Sequence, residues 1–130
     1  MIAARFLPAY AALVAVAFGC RPVAAADANG NYAVLGAGQV SCFAFQRDSA
    51  AAGATERYRG FVFGYITAYN TFMAETYSIM GETSADALLD RVGDYCQDHP
   101  VVSFEHAVQA VIEQLAEGRY RSAPRGGWNR

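Results

Sequence analysis

The chain has 130 residues with 10 basic and 12 acidic side chains, and more than half of its residues are apolar. That suits one domain with one modest core. A formal charge of −2 provides no overall cationic field, which excludes nucleic acid and anionic membranes as partners held by bulk charge.

The first residues carry the three parts of an export signal. Arg5 is the positive start, Phe6 to Phe18 is almost wholly apolar, and Ala24 and Ala26 are the small side chains a signal peptidase accepts. Residues 1–26 are therefore expected to be a cleavable signal peptide cut after Ala26, which directs the mature protein to the periplasm. The run is too short and alanine-rich for a stable membrane span, which needs about 20 strongly apolar residues. Cys20 allows a second reading, a lipid-modified amino terminus. The preceding Ala17, Phe18 and Gly19 fit that box poorly, so Cys20 is expected to leave with the signal.

The remaining 104 residues hold eight arginines, no lysine and all twelve carboxylates, a formal balance of −4. The charge is uneven. Nine carboxylates and one arginine, Arg91, lie between Gly60 and Gly118, whereas Arg119, Arg121, Arg125 and Arg130 follow with no acidic residue. Residues 27–118 are expected to form a helical domain, and residues 119–130 a basic, disordered tail.

Residues 27–35 contain Asn29, Gly30 and Asn31 and read as a mobile lead-in. A short first helix is predicted over Gln39 to Ser49, with Val40, Phe43 and Ala44 on one side and Cys42 and Phe45 adjacent. A second is predicted over Glu56 to Glu75. In it Tyr58, Phe61, Val62, Tyr65, Tyr69, Phe72 and Met73 recur at three- and four-residue steps, as a buried stripe does, and Phe63 and Ile66 broaden it. Gly60 and Gly64, one turn apart, make a strip bare of side chains. Each costs about 1 kcal/mol of helix propensity relative to alanine, which close approach of another backbone would offset.

Gly81 marks a break, after which Thr83 or Ser84 can cap a third helix with Leu88, Leu89, Val92, Tyr95 and Cys96 inward. Pro100 bars its continuation. Ser103 is the expected cap of a fourth helix, whose Phe104, Ala107, Val108, Val111, Ile112 and Leu115 form the clearest apolar stripe, and Gly118 stops it. The fold class is accordingly all-α, a small four-helix domain.

In an oxidising compartment the two cysteines left after export, Cys42 and Cys96, are natural disulfide partners; two free buried thiols are the other reading. The paired spacing of a structural zinc site is missing. A metal shell around His99 and His106 would need donors such as Asp98 and Glu105 in a compact arrangement; a helix end for His99 and a surface position for His106 are simpler. Ser41, Ser78, Ser84 and Ser103 stand in no nucleophile elbow and are read as cap and surface residues. Gly36-Ala37-Gly38 lacks the spacing and the terminal Lys of a phosphate loop and is read as a turn. No catalytic group, cofactor or metal is expected. The candidate contact residues are aromatic and basic: Tyr65, Tyr69 and Tyr77, with Arg119, Arg121 and Trp128 of the tail.

The strings Leu35-Gly36-Ala37-Gly38-Gln39-Val40-Ser41-Cys42, Gly64-Tyr65-Ile66-Thr67-Ala68-Tyr69-Asn70, and Asp94-Tyr95-Cys96 with His99-Pro100 resemble the Rap/Tai group of immunity proteins. That group shares an architecture with the HdeA periplasmic acid-stress chaperones. The resemblance implies an HdeA-like helical domain with Cys42 joined to Cys96, and a role in neutralising peptidoglycan-cleaving toxins, often as a homodimer. It transfers no toxin-contacting residue.

The expected function is a non-catalytic interaction module for an envelope protein or secreted toxin. The alternatives are an acid-activated holdase, in which protonating the carboxylates leaves strong positive repulsion, and a carrier of small apolar ligands using the aromatic second helix.

Overall fold

The computed structural model describes residues 26–49 and 53–125. The expected signal peptide lies outside the described residues except for Ala26, as does the lipidation alternative at Cys20. The chain divides into two units, Met1–Tyr32 and Ala33–Arg130. In the described part of the first, Asp27 closes a turn by accepting the backbone N–H groups of Asn29 and Asn31, both at 2.8 Å. The Asn31 N–H, ahead of the others, holds the Asp27 carboxyl below its usual range.

The described residues of the second unit form an all-α domain of four helices: α1 (Cys42–Ser49), α2 (Ala54–Phe72), α3 (Ala85–Asp98) and α4 (Phe104–Leu115). A single 3₁₀ turn precedes α1 at Gly36–Gln39 and another follows α4 at Ala116–Gly118. The predicted first helix therefore begins three residues too early. Val40 is extended because the strand-like entry to α1 pairs with the entry to α4. Cys42 N donates to Val102 O at 2.8 Å, Phe43 N to Pro100 O at 2.9 Å, and Phe104 N to Val40 O at 2.8 Å, around an antiparallel bridge of Ser41 and Ser103. Helix starts leave backbone donors without helical acceptors; here two helix starts satisfy each other.

Helices α3 and α4 follow the sequence expectation. Ser84 Oγ accepts from Ala87 N at 3.2 Å and Ser103 Oγ from His106 N at 3.1 Å, so each hydroxyl caps its first turn. All six expected α4 positions are buried, as are Leu88, Val92 and Cys96 on α3, while Leu89 and Tyr95 are half-buried. Each fully buried large apolar side chain contributes about 1.5–3 kcal/mol relative to exposure.

At the centre, the Phe104 ring meets Phe45 at 4.6 Å, Tyr58 at 4.9 Å and Phe61 at 5.9 Å between centroids. Cys42 and Cys96 are bonded to one another and fully buried, stapling α1 to α3. The turn before α1 packs so closely on α2 that a Cβ added at Gly38 would run into the Phe61 ring and lie 2.7 Å from Val34 Cγ1.

Helix α2 departs from expectation in three ways. It starts at Ala54 and ends at Phe72, so Met73 to Glu75 lie outside it. Tyr58, Val62 and Ile66 are buried at four-residue steps, but Phe63, Phe72 and Met73 are exposed. Phe63 faces solvent, and in the last turn Phe72 is exposed while Tyr69 stays half-buried against the core. Finally, among the described residues nothing lies within 4 Å of a Cβ added at Gly60 or Gly64, so no described backbone approaches that strip.

Past Gly118 the chain pairs with the segment after α2. Tyr120 N donates to Ser78 O at 2.8 Å, while Tyr77 N and Ser78 N both donate to Tyr120 O. Residues up to Arg121 are thus held against the α2–α3 connection. Residues 126–130 of the tail, Trp128 and Arg130 among them, lie outside the described residues.

Candidate protein-interaction surface

From Gly60 to Ala74 the sequence carries no charged residue. Folding Gly60 to Phe72 as a helix buries one side and leaves Gly60, Phe63, Gly64, Thr67, Ala68, Thr71 and Phe72 exposed. Two of these are polar, yet their hydroxyls turn inward along the helix. Thr67 Oγ1 donates to Phe63 O at 2.8 Å and Thr71 Oγ1 to Thr67 O at 2.7 Å. Such back-bonding satisfies the hydroxyl on its own helix and leaves a surface that demands few polar partners.

The side of α2 nearest its end carries a shallow open depression of about 230 Å³, lined by Tyr65, Ala68, Tyr69, Phe72 and Met73. Phe72 is 84% exposed and Met73 48%. A second, polar hollow of about 600 Å³ lies between α2 and the following loop, lined by Thr67, Asn70, Thr71, Thr76, Tyr77 and Ser78. Asn70 orders that loop: its Oδ1 accepts Ile79 N at 2.8 Å, and the Ile79 side chain is fully buried beyond it.

The structure gathers most of the sequence-derived candidates around this end of α2. Tyr65 and Tyr69 line the apolar depression and Tyr77, 45% exposed, lines the polar hollow. The basic residues come from the far end of the chain. Arg121 Nη1 meets Glu75 Oε2 at 2.7 Å, and Arg119 reaches Glu75 O through Nε at 3.4 Å and Ala116 O through Nη1 at 2.5 Å. Trp128 lies outside the described residues. Phe72, one of the second-helix aromatics expected with Phe61, Tyr65 and Tyr69 to line a small apolar pocket, does line the depression; Met73 was not named as a contact residue because its spacing continues the buried period.

A separate groove of about 510 Å³ runs between α1, the start of α2, and α3. Phe45, Tyr58 and Leu89 contribute its apolar lining, with Asp90 and Asp94 among its polar groups. Nearby, Asp48 joins α1 to α2. It accepts from Arg47 Nη2 at 2.9 Å, and from Tyr58 Oη and Arg57 Nη2 at 3.0 Å each. The Arg47 hydrogen bond first, then the Tyr58 hydroxyl, hold the Asp48 carboxyl below its usual range. Burial pushes the Tyr58 phenol up, which keeps it a donor to Asp48.

Three of the four serines weighed for catalysis use their hydroxyls structurally, and Ser78 is paired through its backbone. Ser41 Oγ accepts from Ala44 N at 3.2 Å, and Ser84 and Ser103 cap helices as above. His99 stacks on Tyr95 at 4.1 Å, and its Nδ1 lies 2.9 Å from Tyr95 O, a carbonyl that only accepts. That contact requires the proton on Nδ1. His106 lies 6.5 Å from the same Tyr95 ring. Among the described residues no three His, Cys, Asp or Glu side chains gather as metal ligands, and no helix is long and apolar enough to cross a membrane.

No protein-family model, curated protein or solved structure matches the chain.

Proposed function

We propose that this chain is an exported, non-catalytic protein-interaction module that binds an envelope protein or a secreted toxin through the exposed faces of α2. The observation that carries the reading is Phe72, 84% exposed at the end of a helix uncharged from Gly60 onward, beside the half-exposed Met73 that follows it. Contiguous exposed apolar surface costs solubility and marks contact sites more often than chance. The strip at Gly60 and Gly64 adds support, because these glycines weaken the helix without packing inside the domain.

Within that class, the sequence resemblance to the Rap/Tai immunity group, which implies an HdeA-like domain, and the disulfide-stapled four-helix fold favour an immunity protein that blocks the cleft of a peptidoglycan-cleaving enzyme. The mechanism is steric: a preformed aromatic surface covers the enzyme's entrance, and charge steers encounter. Affinity capture from envelope and secreted fractions tests it, with Phe63→Glu and Phe72→Glu as controls. The expected result is one wall-cleaving enzyme retained stoichiometrically, inhibited by the parent protein and released by both variants. Capture with no selectively enriched enzyme sinks the proposal.

The acid-activated holdase is kept as a second reading on the Asp48 contacts, since losing that charge loosens α1 from α2 and bares the rings of Phe45 and Tyr58. Suppression of client aggregation at about pH 2 to 3, below the ordinary carboxylate range, is its test. A protein that stays compact and inactive there rules it out.

A further inference from the structure

The groove between α1, the start of α2, and α3 differs in chemistry from the uncharged face of α2. Its volume is about 510 Å³, its apolar lining comes from Phe45, Tyr58 and Leu89, and Asp90 and Asp94 stand along its α3 side. Leu89, Gly93 and Gln97 follow one another at four-residue steps and so share one stripe of α3. Gly93 leaves the middle of that stripe bare, and among the described residues nothing lies within 4 Å of a Cβ added there. A glycine inside a helix weakens it, and no described side chain occupies the notch in return. The notch is preformed: Cys96, next to Gln97, is bonded to Cys42, one turn before Gln46, so the disulfide fixes the spacing of the two walls.

The carboxylates beside the notch are left over. Among the described residues Asp48 takes Arg47 and Arg57, and Asp86 takes Arg59, whereas Asp90 and Asp94 are exposed and form no ion pair. Arg91 lies toward α4, in the separate hollow that it shares with Asp94. Ala50-Ala51-Ala52, between α1 and α2, add no charge.

An apolar floor with two unpaired carboxylates on one rim calls for an apolar stem that ends in a cation. Asp90 and Asp94 are one turn apart, about 6 Å along the helix axis, a spacing that the forked donors of one guanidinium can bridge. A guanidinium is also more weakly hydrated than an ammonium and loses less on entering a half-enclosed groove. The groove lining holds no cation. The α-carboxylate of a free amino acid would therefore meet only like charge, while an arginine inside a polypeptide brings none.

We infer that this groove receives an arginine side chain displayed by a partner protein, its stem lying over Gly93 against Phe45 and Leu89 and its guanidinium held between Asp90 and Asp94. The site does not rest on the reading of α2.

Titration of the oxidised, nitrogen-labelled protein with Nα-acetyl-arginine amide tests it by amide resonance shifts. The expected result is a saturable response centred on Gly93 and Gln46, clearly weaker with the citrulline analogue, which keeps the shape without the charge, and with free arginine. Asp90→Asn combined with Asp94→Asn is expected to weaken binding by about tenfold or more, the worth of a charge-assisted hydrogen bond. Gly93→Leu, which fills the notch, is expected to abolish binding while circular dichroism keeps the parent helicity. The inference is overturned by the absence of a saturable response, by a citrulline, lysine or free-arginine probe that binds as tightly, or by binding kept in either variant that stays folded. None of these readings uses a captured enzyme, so failure of the α2 proposal and failure of this one are separate outcomes.

Discussion

The α-carbon of Gly81 faces the backbone carbonyl of Gly118 so closely that an added Cβ would collide with that oxygen. Gly81 also sits at φ 51°, where side chains are strained by about 1–3 kcal/mol. Gly81→Ala is therefore expected to lower the unfolding free energy by at least that much. Gly60→Ala and Gly64→Ala, with open space around the new carbon, are expected to raise it by up to about 1 kcal/mol each. Urea unfolding of the three variants checks the contrast. A gain at Gly81, or a loss at both helical positions, contradicts the packing described.

The disulfide spans a sequence separation of 54 residues. Opening a loop of that size returns about 4 kcal/mol of entropy to the unfolded chain in the loop-closure treatment. Domains of this size have a net stability of about 5–15 kcal/mol. Cys42→Ala with Cys96→Ala, or reduction of the native protein, is expected to remove a large share of the stability and to leave a domain partly unfolded at warm temperatures. Denaturant midpoints with and without reductant measure it; overlapping curves would show that packing alone holds α1 to α3.

Where a helix carried both an apolar period and a hydroxyl cap, the sequence was enough, as at Ser84 and Ser103. The end of α2 was not legible, because Phe72 and Met73 continue the period past the point where the core stops. Nothing local signals that Asn70 captures the amide of Ile79 or that the Ile79 side chain becomes fully buried. The pairing of Ser78 with Tyr120 joins residues 42 positions apart through backbone atoms, which no side-chain pattern announces. The aromatic and basic candidates were named one by one from the sequence, whereas the placing of Tyr65, Tyr69, Tyr77, Arg119 and Arg121 around one end of α2 is a product of the tertiary fold.

Asp48 predicts an acid limb to the stability curve. Its carboxyl titrates lower in the folded state than the ordinary 3.8 because Arg47, Tyr58 and Arg57 favour the charged form. Across that interval the unfolded chain binds the extra proton. The contribution is thus complete above about pH 4 and is lost as pH falls through the folded value. Asp48→Asn is expected to lower stability at neutral pH and to flatten its decline in acid. Unfolding curves from neutral pH downward test this, and an unchanged slope would remove Asp48 from the account.

Asp86, Asp90, Asp94 and Asp98 recur at four-residue steps along α3, all exposed. Arg59 Nη2 offsets the first, at 2.5 Å from Asp86. Asp94 has a like charge one turn to each side, and each such pair costs about 0.2–0.5 kcal/mol. Arg91, which lines a hollow of about 290 Å³ with Asp94 and Asp98, returns part of that. Asp94→Asn is expected to stabilise the fold by about 0.5 kcal/mol at low ionic strength, with the gain fading in 1 M salt, where the screening length is about 3 Å. Asp90 and Asp94 also line the groove between α1 and α3, so the repulsion is concentrated on a surface that can attract a cationic partner. Slower association of Asp94→Asn with the captured enzyme, seen at low salt and lost at high salt, would assign the ridge to steering. A stability gain with unchanged association would leave it a solubility feature.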